Sequence, residues 1–280
     1  MFRPTLVGVT TLVVGLGTAS AQTPVERGNY LVNTIMACGN CHTPPSPTGP
    51  VMAKFLSGGL TFDTPAFEVT APNITPDRET GIGTWSDNDI KKGITDGVRP
   101  NGIPLAPIMA SAFYKALMPS DLDAVVAYLR TVKPLKNKVP DPNYKAAAAH
   151  EAYPLAETKA TAADMRDKVK RGQYLATIGH CMECHTPRIR GHQDFVNDLG
   201  KGGREFPGPW GKSESRNITP SKTKGIGEWT DAEIKRAITQ GIRKDGSKLK
   251  PPMAYAYYAK MTNVDLDGVV AWLRTLPPKE

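Results

Sequence analysis

The chain has 280 residues, a formal net charge of +8 at pH 7, 25 prolines and 26 glycines. The length suggests about two domains, and the composition is that of a globular protein with long, loop-rich connections. Basic residues do not cluster with aromatic ones, which argues against a nucleic-acid-binding protein. A modest positive charge fits a solvated surface or attraction of an acidic partner.

The first 21 residues have the pattern of an export signal. Residues 1–4 are a short positive start, residues 5–18 are largely apolar, and Ala19-Ser20-Ala21 has the form of a cleavage site. The apolar stretch is shorter than the ~20 residues that span a bilayer, although an uncleaved anchor is the alternative. We predict a signal peptide over residues 1–21 and a periplasmic protein that associates with a membrane only through a partner.

Two pentapeptides contain all four cysteines: CGNCH at residues 38–42 and CMECH at residues 181–185. The Cys-x-x-Cys-His spacing is that of c-type haem attachment. Cysteines three residues apart lie on one side of a helical turn, so both thiols can bond to one edge of a flat porphyrin. We predict two covalently attached haem c groups, bonded to Cys38, Cys41, Cys181 and Cys184, with His42 and His185 as iron ligands.

The same cysteines have other interpretations. A thioredoxin-like pair requires a strand–helix context, which neither motif has, and a zinc site requires four clustered ligands. The two pairs lie more than a hundred residues apart. A disulfide framework does not suit so long a chain with so few cysteines.

The chain repeats itself with an offset of 144 residues. For example, Asn-Ile-Thr-Pro occurs at residues 73–76 and again at 217–220. The period is the length of a small domain rather than of a solenoid unit. We predict an N-terminal domain over residues 22–132, a C-terminal domain over 166–280, and a proline-rich interdomain linker over 133–165 that has no counterpart in the repeat.

Helical patterns dominate both copies. Capping-box patterns at residues 86–89 and 230–233 precede apolar residues at i, i+4 spacing, and residues 122–129 carry the i, i+3, i+4, i+7 stripe of a helix with one buried face. Alternating strand patterns are scarce. These features predict an all-α protein of two tandem domains, each wrapped around one covalently bound haem c.

The repeat also indicates the second axial ligand of each iron. Methionine usually takes this position in electron-transfer cytochromes c. Met109 and Met253 fall on each other at the offset of 144 and both end proline-rich loops, whereas the other seven methionines have no methionine partner. We predict them as iron ligands; core methionines are the alternative.

Further paired residues are candidates for contact with haem. The tryptophans are either core residues or donors of an indole N–H to a haem propionate. The asparagines either contact the porphyrin edge or form turns. The arginines either pair with propionates or are ordinary cations at helix ends. These pairs are Trp85 and Trp229, Asn73 and Asn217, and Arg99 and Arg243. His150, His180 and His192 lack a histidine at the equivalent place and are not predicted as ligands.

The chain resembles the class I cytochrome c superfamily, and within it the cytochrome c subunits of periplasmic alcohol, aldehyde and gluconate dehydrogenases. The resemblance lies in CxxCHTP, Asn-Ile-Thr-Pro, Gly-Ile-Gly-x-Trp and the Pro-x-Met loop, which recur in both repeats. It implies two class I cytochrome c domains, electron transfer from a periplasmic dehydrogenase, and an oxidase or small cytochrome of the respiratory chain as acceptor.

The predicted function is therefore that of an electron-transfer protein rather than an enzyme, with both irons ligated by histidine and methionine and with no catalytic residues. The alternative is a dihaem enzyme of the peroxidase or thiosulfate dehydrogenase type, in which one haem acts on substrate. Paired methionines argue against a peroxidase. The absence of a fifth cysteine argues against the thiosulfate enzyme, in which the resemblance implies a cysteine ligand.

Overall fold

The structure is a computed structural model that describes residues 22–47, 49–146, 150–208 and 211–280. The predicted signal peptide, residues 1–21, lies outside the described residues. In the part of the chain that is described, no helix is long and apolar enough to cross a membrane.

Each repeat contains five helices in the same order. The N-terminal repeat has α1 (Pro24–Asn33), α2 (Gly39–His42), α3 (Asp87–Thr95), α4 (Ser111–Tyr114) and α5 (Pro119–Thr131). The C-terminal repeat has α6 (Lys168–Ile178), α7 (Cys181–His185), α8 (Asp231–Gln240), α9 (Tyr255–Tyr258) and α10 (Asn263–Leu273).

The strands form four small antiparallel sheets. Three are two-stranded hairpins, and one has three strands in the order β3-β4-β5. The strands are β1 (Pro45–Ser46), β2 (Gly49–Pro50), β3 (Thr61–Asp63), β4 (Phe67–Thr70), β5 (Asn143–Tyr144), β6 (Arg188–Ile189), β7 (His192–Gln193), β8 (Glu205–Gly208) and β9 (Gly211–Glu214).

The prediction of an all-α fold is wrong. Helices account for only 36% of the described chain, and the small sheets make the fold a mixed one. No strand among the described residues is longer than four residues, so an alternating pattern has little length in which to show. In β4, for example, the buried Phe67 and Val69 flank the exposed Glu68, which is a strand pattern of only three residues.

The first and last helices of each repeat cross at close range. A side-chain carbon on Gly28 would lie 1.9 Å from the carbonyl oxygen of Ala124, and one on Gly172 would lie 1.8 Å from that of Gly268. Any larger residue would therefore push α1 off α5, or α6 off α10. The glycine of the repeated Arg-Gly-x-Tyr-Leu segment thus allows the helix pair on which each repeat is built.

The capping boxes are confirmed. The side chains of Ser86 and Asp89 bond to each other's backbone N–H groups at the start of α3, and Thr230 and Glu233 do the same at α8. Each box satisfies two backbone donors that would otherwise lack partners.

The two repeats meet through a reciprocal pair of buried carboxylates. Asp121, which is 4% exposed, accepts two hydrogen bonds of 2.8 Å from Arg27 of its own repeat and one of 2.6 Å from the Tyr174 hydroxyl of the other. Asp265, 2% exposed, accepts likewise from Arg171 and, across the interface, from Tyr30. Because the pattern is the same in both directions, the repeats are related by a pseudo-two-fold axis.

The segment predicted as a linker lies on the N-terminal repeat. The Asn137 side chain donates to the carbonyl of Ser57 at 2.8 Å, and β5 adds a third strand to the β3-β4 hairpin. Farther along, Tyr153 is only 1% exposed and stacks on Phe113 with ring centroids 4.4 Å apart. The exact domain boundaries stay a prediction.

The inter-repeat hydroxyls make a prediction about stability. Replacing Tyr174 with Phe removes a hydrogen bond to a buried carboxylate, so we expect a loss of about 1.5–3 kcal/mol in the free energy of unfolding. Tyr30→Phe should behave alike. Tyr128→Phe is the matched control, since its hydroxyl bonds only to the neutral Asn33 side chain of its own repeat, and we expect it to cost about 1 kcal/mol or less. Denaturant titration of the three variants tests this; equal losses would show that the interface is not held by these bonds.

Candidate haem-binding sites

Both CxxCH motifs form a single helical turn that follows a residue in the left-handed conformation. That residue is Ala37 before the first motif and His180 before the second, with φ of 48° and 42°. The left-handed residue changes the direction of the chain immediately before the motif helix. In each motif both cysteines are free thiols, as thioether attachment requires.

The four thiols lie in an apolar environment. Burial is the main reason why the pKa of each thiol is raised to about 12. The thiols are those of Cys38, Cys41, Cys181 and Cys184. The four cysteines are half-buried, and an apolar surrounding of this kind suits the hydrocarbon edge of a porphyrin. The described residues contain no group of three or more His, Cys, Asp or Glu side chains placed to hold a metal ion.

Each motif histidine is held by a backbone carbonyl of a distant loop. His42 Nδ1 lies 2.7 Å from the Pro72 oxygen, and His185 Nδ1 lies 2.7 Å from the Arg216 oxygen. Because a carbonyl only accepts, Nδ1 carries the proton and Nε2 keeps its lone pair. Burial lowers the pKa of both imidazoles, although the same hydrogen bonds raise it in part. A neutral imidazole with a fixed ring and a free Nε2 is what an axial iron ligand requires.

The two predicted methionine ligands end matching loops. In the first loop, the Leu105 N–H donates to the Gly97 oxygen at 2.6 Å, and in the second the Leu249 N–H donates to Gly241 at 2.7 Å. Met109 and Met253 are half-buried, and both pack against the main apolar core. Ligation of iron by these thioethers stays a prediction.

The predicted asparagines fix loops. Asn73 Oδ1 accepts from the backbone and hydroxyl of Thr75 at 2.9 and 2.7 Å, while its amide donates to the Leu135 oxygen at 2.6 Å. Asn217 makes the same bonds to Thr219 and donates to Lys279 at 2.7 Å. This is the turn role that the sequence leaves open. Contact of these amides with a porphyrin stays a prediction.

The predicted arginines also lie within their loops. The Arg99 guanidinium donates to the Pro104 oxygen at 2.9 Å, and Arg243 forms an ion pair of 3.3 Å with Asp245. Each thereby stiffens the loop that leads to the methionine of its repeat. Pairing with haem propionates stays a prediction.

The tryptophans pack on the core, and an unpredicted arginine holds each of them. Arg130 donates to the backbone oxygens of Ile82 and Trp85, and Arg274 to those of Ile226 and Trp229. Neither indole N–H makes a hydrogen bond within the described residues, so donation to a propionate stays a prediction. The signal for these arginines was their pairing at the offset of 144.

The first motif lies at the repeat interface and contacts the methionine loop of the second repeat. The Asn40 amide of the first motif donates to the Pro252 oxygen, beside Met253, at 3.2 Å. Two buried tyrosines, Tyr114 and Tyr258, lie within reach of both motifs. Burial raises their pKa well above the usual value, and neighbouring groups of both motifs (Cys38, Cys41 and Glu183 for Tyr114; Cys181, Cys184 and Cys41 for Tyr258) raise it further.

Sequence reasoning also missed Glu183, which stands between the two cysteines of the second motif. Its carboxylate is buried and lies 3.1 Å from Nδ1 of His180, while its backbone oxygen accepts from Gln193 and Arg204. The intervening positions of a CxxCH motif have no fixed residue type, so no sequence pattern singles out Glu183.

Comparison with known proteins finds similarity to cytochromes c. Residues 169–277 match the family model of cytochrome c. The chain is 28% identical over 87% of its length to a dihaem cytochrome c of Cereibacter sphaeroides, covering 83% of that protein. It is 29% identical over 93% of its length to the fructose dehydrogenase cytochrome subunit of Gluconobacter japonicus, and 30% identical over 95% to the quinone alcohol dehydrogenase cytochrome c subunit of Gluconobacter oxydans.

The second repeat is therefore a cytochrome c domain, and the predicted resemblance to cytochrome c is confirmed. The chain as a whole is similar to cytochrome c subunits of dehydrogenases, which agrees with the prediction of a cytochrome rather than an enzyme. It spans little more than half the length of the two Gluconobacter subunits, covering 54% and 58% of them. A cytochrome c domain implies covalently bound haem c.

The loop role of Asn217 is testable. Asn217→Ala removes the acceptor for Thr219 and the donor to Lys279, so we expect a loss of about 1–3 kcal/mol in the free energy of unfolding. The segment around Lys279 should also become more sensitive to carboxypeptidase. Asn197→Ala is the control, because that exposed side chain bonds only to the neighbouring Asp194. A variant as stable and as resistant as the control would contradict the role.

Proposed function

We propose that this chain is a periplasmic dihaem c-type cytochrome that relays single electrons from a dehydrogenase to an oxidase or another cytochrome. The observation that carries the proposal is the pair of equivalent CxxCH sites, each with its histidine fixed by a carbonyl, that meet at one interface. The dihaem relative supports the count of two. The dehydrogenase subunits among the relatives support a dehydrogenase as donor.

Haem iron, when bound, supplies one-electron chemistry between its ferrous and ferric forms. The residues of this chain control where that chemistry takes place. His42 and His185 each offer one nitrogen in a fixed orientation, and Met109 and Met253 each offer a thioether from a stiffened loop. A histidine and a methionine ligand on each iron would leave no position for a substrate, which separates this proposal from the dihaem enzyme.

The interface supports the relay. Tyr114 and Tyr258 are buried near both motifs. The reciprocal Asp121 and Asp265 bonds oppose any rotation of one repeat against the other, because rotation would leave a buried carboxylate unpaired. A fixed, dry separation between the sites is what repeated electron transfer within one chain requires.

Haem stoichiometry tests the core of the proposal. Expressed with its export signal alongside the c-type maturation machinery, the chain should carry two haems, measured by pyridine haemochrome and by mass. Cys38→Ala/Cys41→Ala and Cys181→Ala/Cys184→Ala should each retain one. The periplasmic fraction should hold the haem-stained protein. A single haem in the unaltered chain, or haem protein found only in the cytoplasm, would contradict the proposal.

Ligation by methionine has its own signature. We expect a weak near-infrared band from methionine–iron bonding in the oxidised protein, and Met109→Ala or Met253→Ala should each remove about half of it and lower one redox potential. Met118→Leu is the control, since Met118 is buried but lies outside the loops.

Carbon monoxide titration completes this test. The unaltered reduced protein should bind almost none, and each alanine variant should bind one equivalent. Stoichiometric binding to the unaltered protein would favour the dihaem enzyme instead.

A further inference from the structure

Charge is divided unevenly between two repeats of the same fold. Residues 22–132 contain 8 basic and 10 acidic side chains, whereas residues 166–280 contain 21 basic and 13 acidic ones. The excess of positive charge in the chain therefore belongs to the C-terminal repeat. Such an asymmetry affects which partner each repeat attracts, because long-range fields steer association.

The methionine loops, residues 97–109 and 241–253, differ in what covers them. In the N-terminal repeat the Tyr144 hydroxyl donates to the Pro104 oxygen at 2.7 Å, and His150 Nε2 lies 3.1 Å from the Leu105 oxygen. Ala106 is 5% exposed in an apolar cluster that Tyr144 joins. The linker thus covers this loop around Leu105 and Ala106, although residues 101–104 stay exposed.

The equivalent loop of the C-terminal repeat is open and cationic. At the offset of 144, Lys248 replaces Pro104 and Lys250 replaces Ala106, the two places on which the linker segment lies in the first repeat. Both lysines are exposed, and neither ammonium group has a hydrogen-bond or ion-pair partner among the described residues. Lys244, also exposed, lies in the same loop and donates to the Glu228 oxygen.

We propose that the methionine loop of the C-terminal repeat is the docking surface for an acidic electron-transfer protein. The partner would take the place that the linker fills on the N-terminal repeat, with its carboxylates facing Lys248 and Lys250. Because this loop ends at Met253, a protein docked on it would lie beside the second predicted iron site. The inference rests on the proposed function and adds the side on which one partner binds.

Charge reversal in the loop tests the surface. The full-length reduced holoprotein is mixed with oxidised plastocyanin, a strongly acidic copper protein, in a stopped-flow spectrometer at low ionic strength. We expect Lys248→Glu/Lys250→Glu to lower the second-order rate constant about tenfold or more, and Lys248→Gln/Lys250→Gln to give an intermediate value. The loss should shrink as salt is raised, since exposed charges are screened.

The matched control is Lys168→Glu/Lys222→Glu. It changes the net charge by the same amount at two exposed lysines of the same repeat outside the loop, and we expect a decrease of about threefold or less. Equal decreases in both double variants would mean that only overall charge matters, and would overturn the proposal.

Two further measurements separate the possible failures. Tris(phenanthroline)cobalt(III), a small cation, should oxidise every variant at least as fast as the unaltered protein. If it fails to oxidise the unaltered protein, the proposed function itself fails, and this inference with it. Sedimentation tests a second copy of the chain as occupant: dimerisation that Lys248→Glu/Lys250→Glu abolishes, with no effect of that variant on the plastocyanin rate, would overturn the proposal.

Discussion

Two buried carboxylates determine how the halves of this protein sit together. Asp121 and Asp265 each accept from an arginine of their own repeat and from a tyrosine of the other. Burying a carboxylate is unfavourable unless its oxygens are paired, and here the pairing is complete only when both repeats are in place. The orientation of the repeats is thus fixed by the need to satisfy two charges. The proximity of the two CxxCH motifs follows from that orientation.

The residues of the sites could be predicted from sequence because the two repeats can be compared with each other. The offset of 144 residues separated Met109 and Met253 from seven other methionines, and it paired the asparagines, tryptophans and arginines. Capping boxes were visible because they are local, three residues apart along one helix end. The carbonyls that hold His42 and His185 could not be predicted, because every residue has a backbone oxygen and residue type does not indicate which one is used.

What the sequence did not reveal depends on contacts between distant segments. In the sequence, Arg27 and Asp121 look like ordinary solvated residues of helices α1 and α5. Asp121 is buried only once the two repeats have packed together. The Tyr30 hydroxyl donates to Asp265 of the other repeat, a contact between residues 235 positions apart that no local pattern indicates. The sheets were missed because their strands are too short to show a period. β5 in particular lies in the linker, far along the chain from the hairpin that it extends.

Duplication gives this protein two equivalent CxxCH sites. Two equivalent sites do not by themselves define a direction of electron transfer. The carbonyl bond to each motif histidine, the Asn-Thr turn and the backbone bond that closes each methionine loop recur in both repeats. The differences lie at the surface. The linker crosses the methionine loop of the N-terminal repeat, whereas the methionine loop of the C-terminal repeat carries lysines. A relay between two unlike partners needs each end to reject the wrong one. A loop that the linker partly covers, beside an exposed and more cationic loop, provides that distinction without altering either site. Under the proposed function, the surface rather than the two sites would set the direction of transfer, through the partner that each repeat allows to approach.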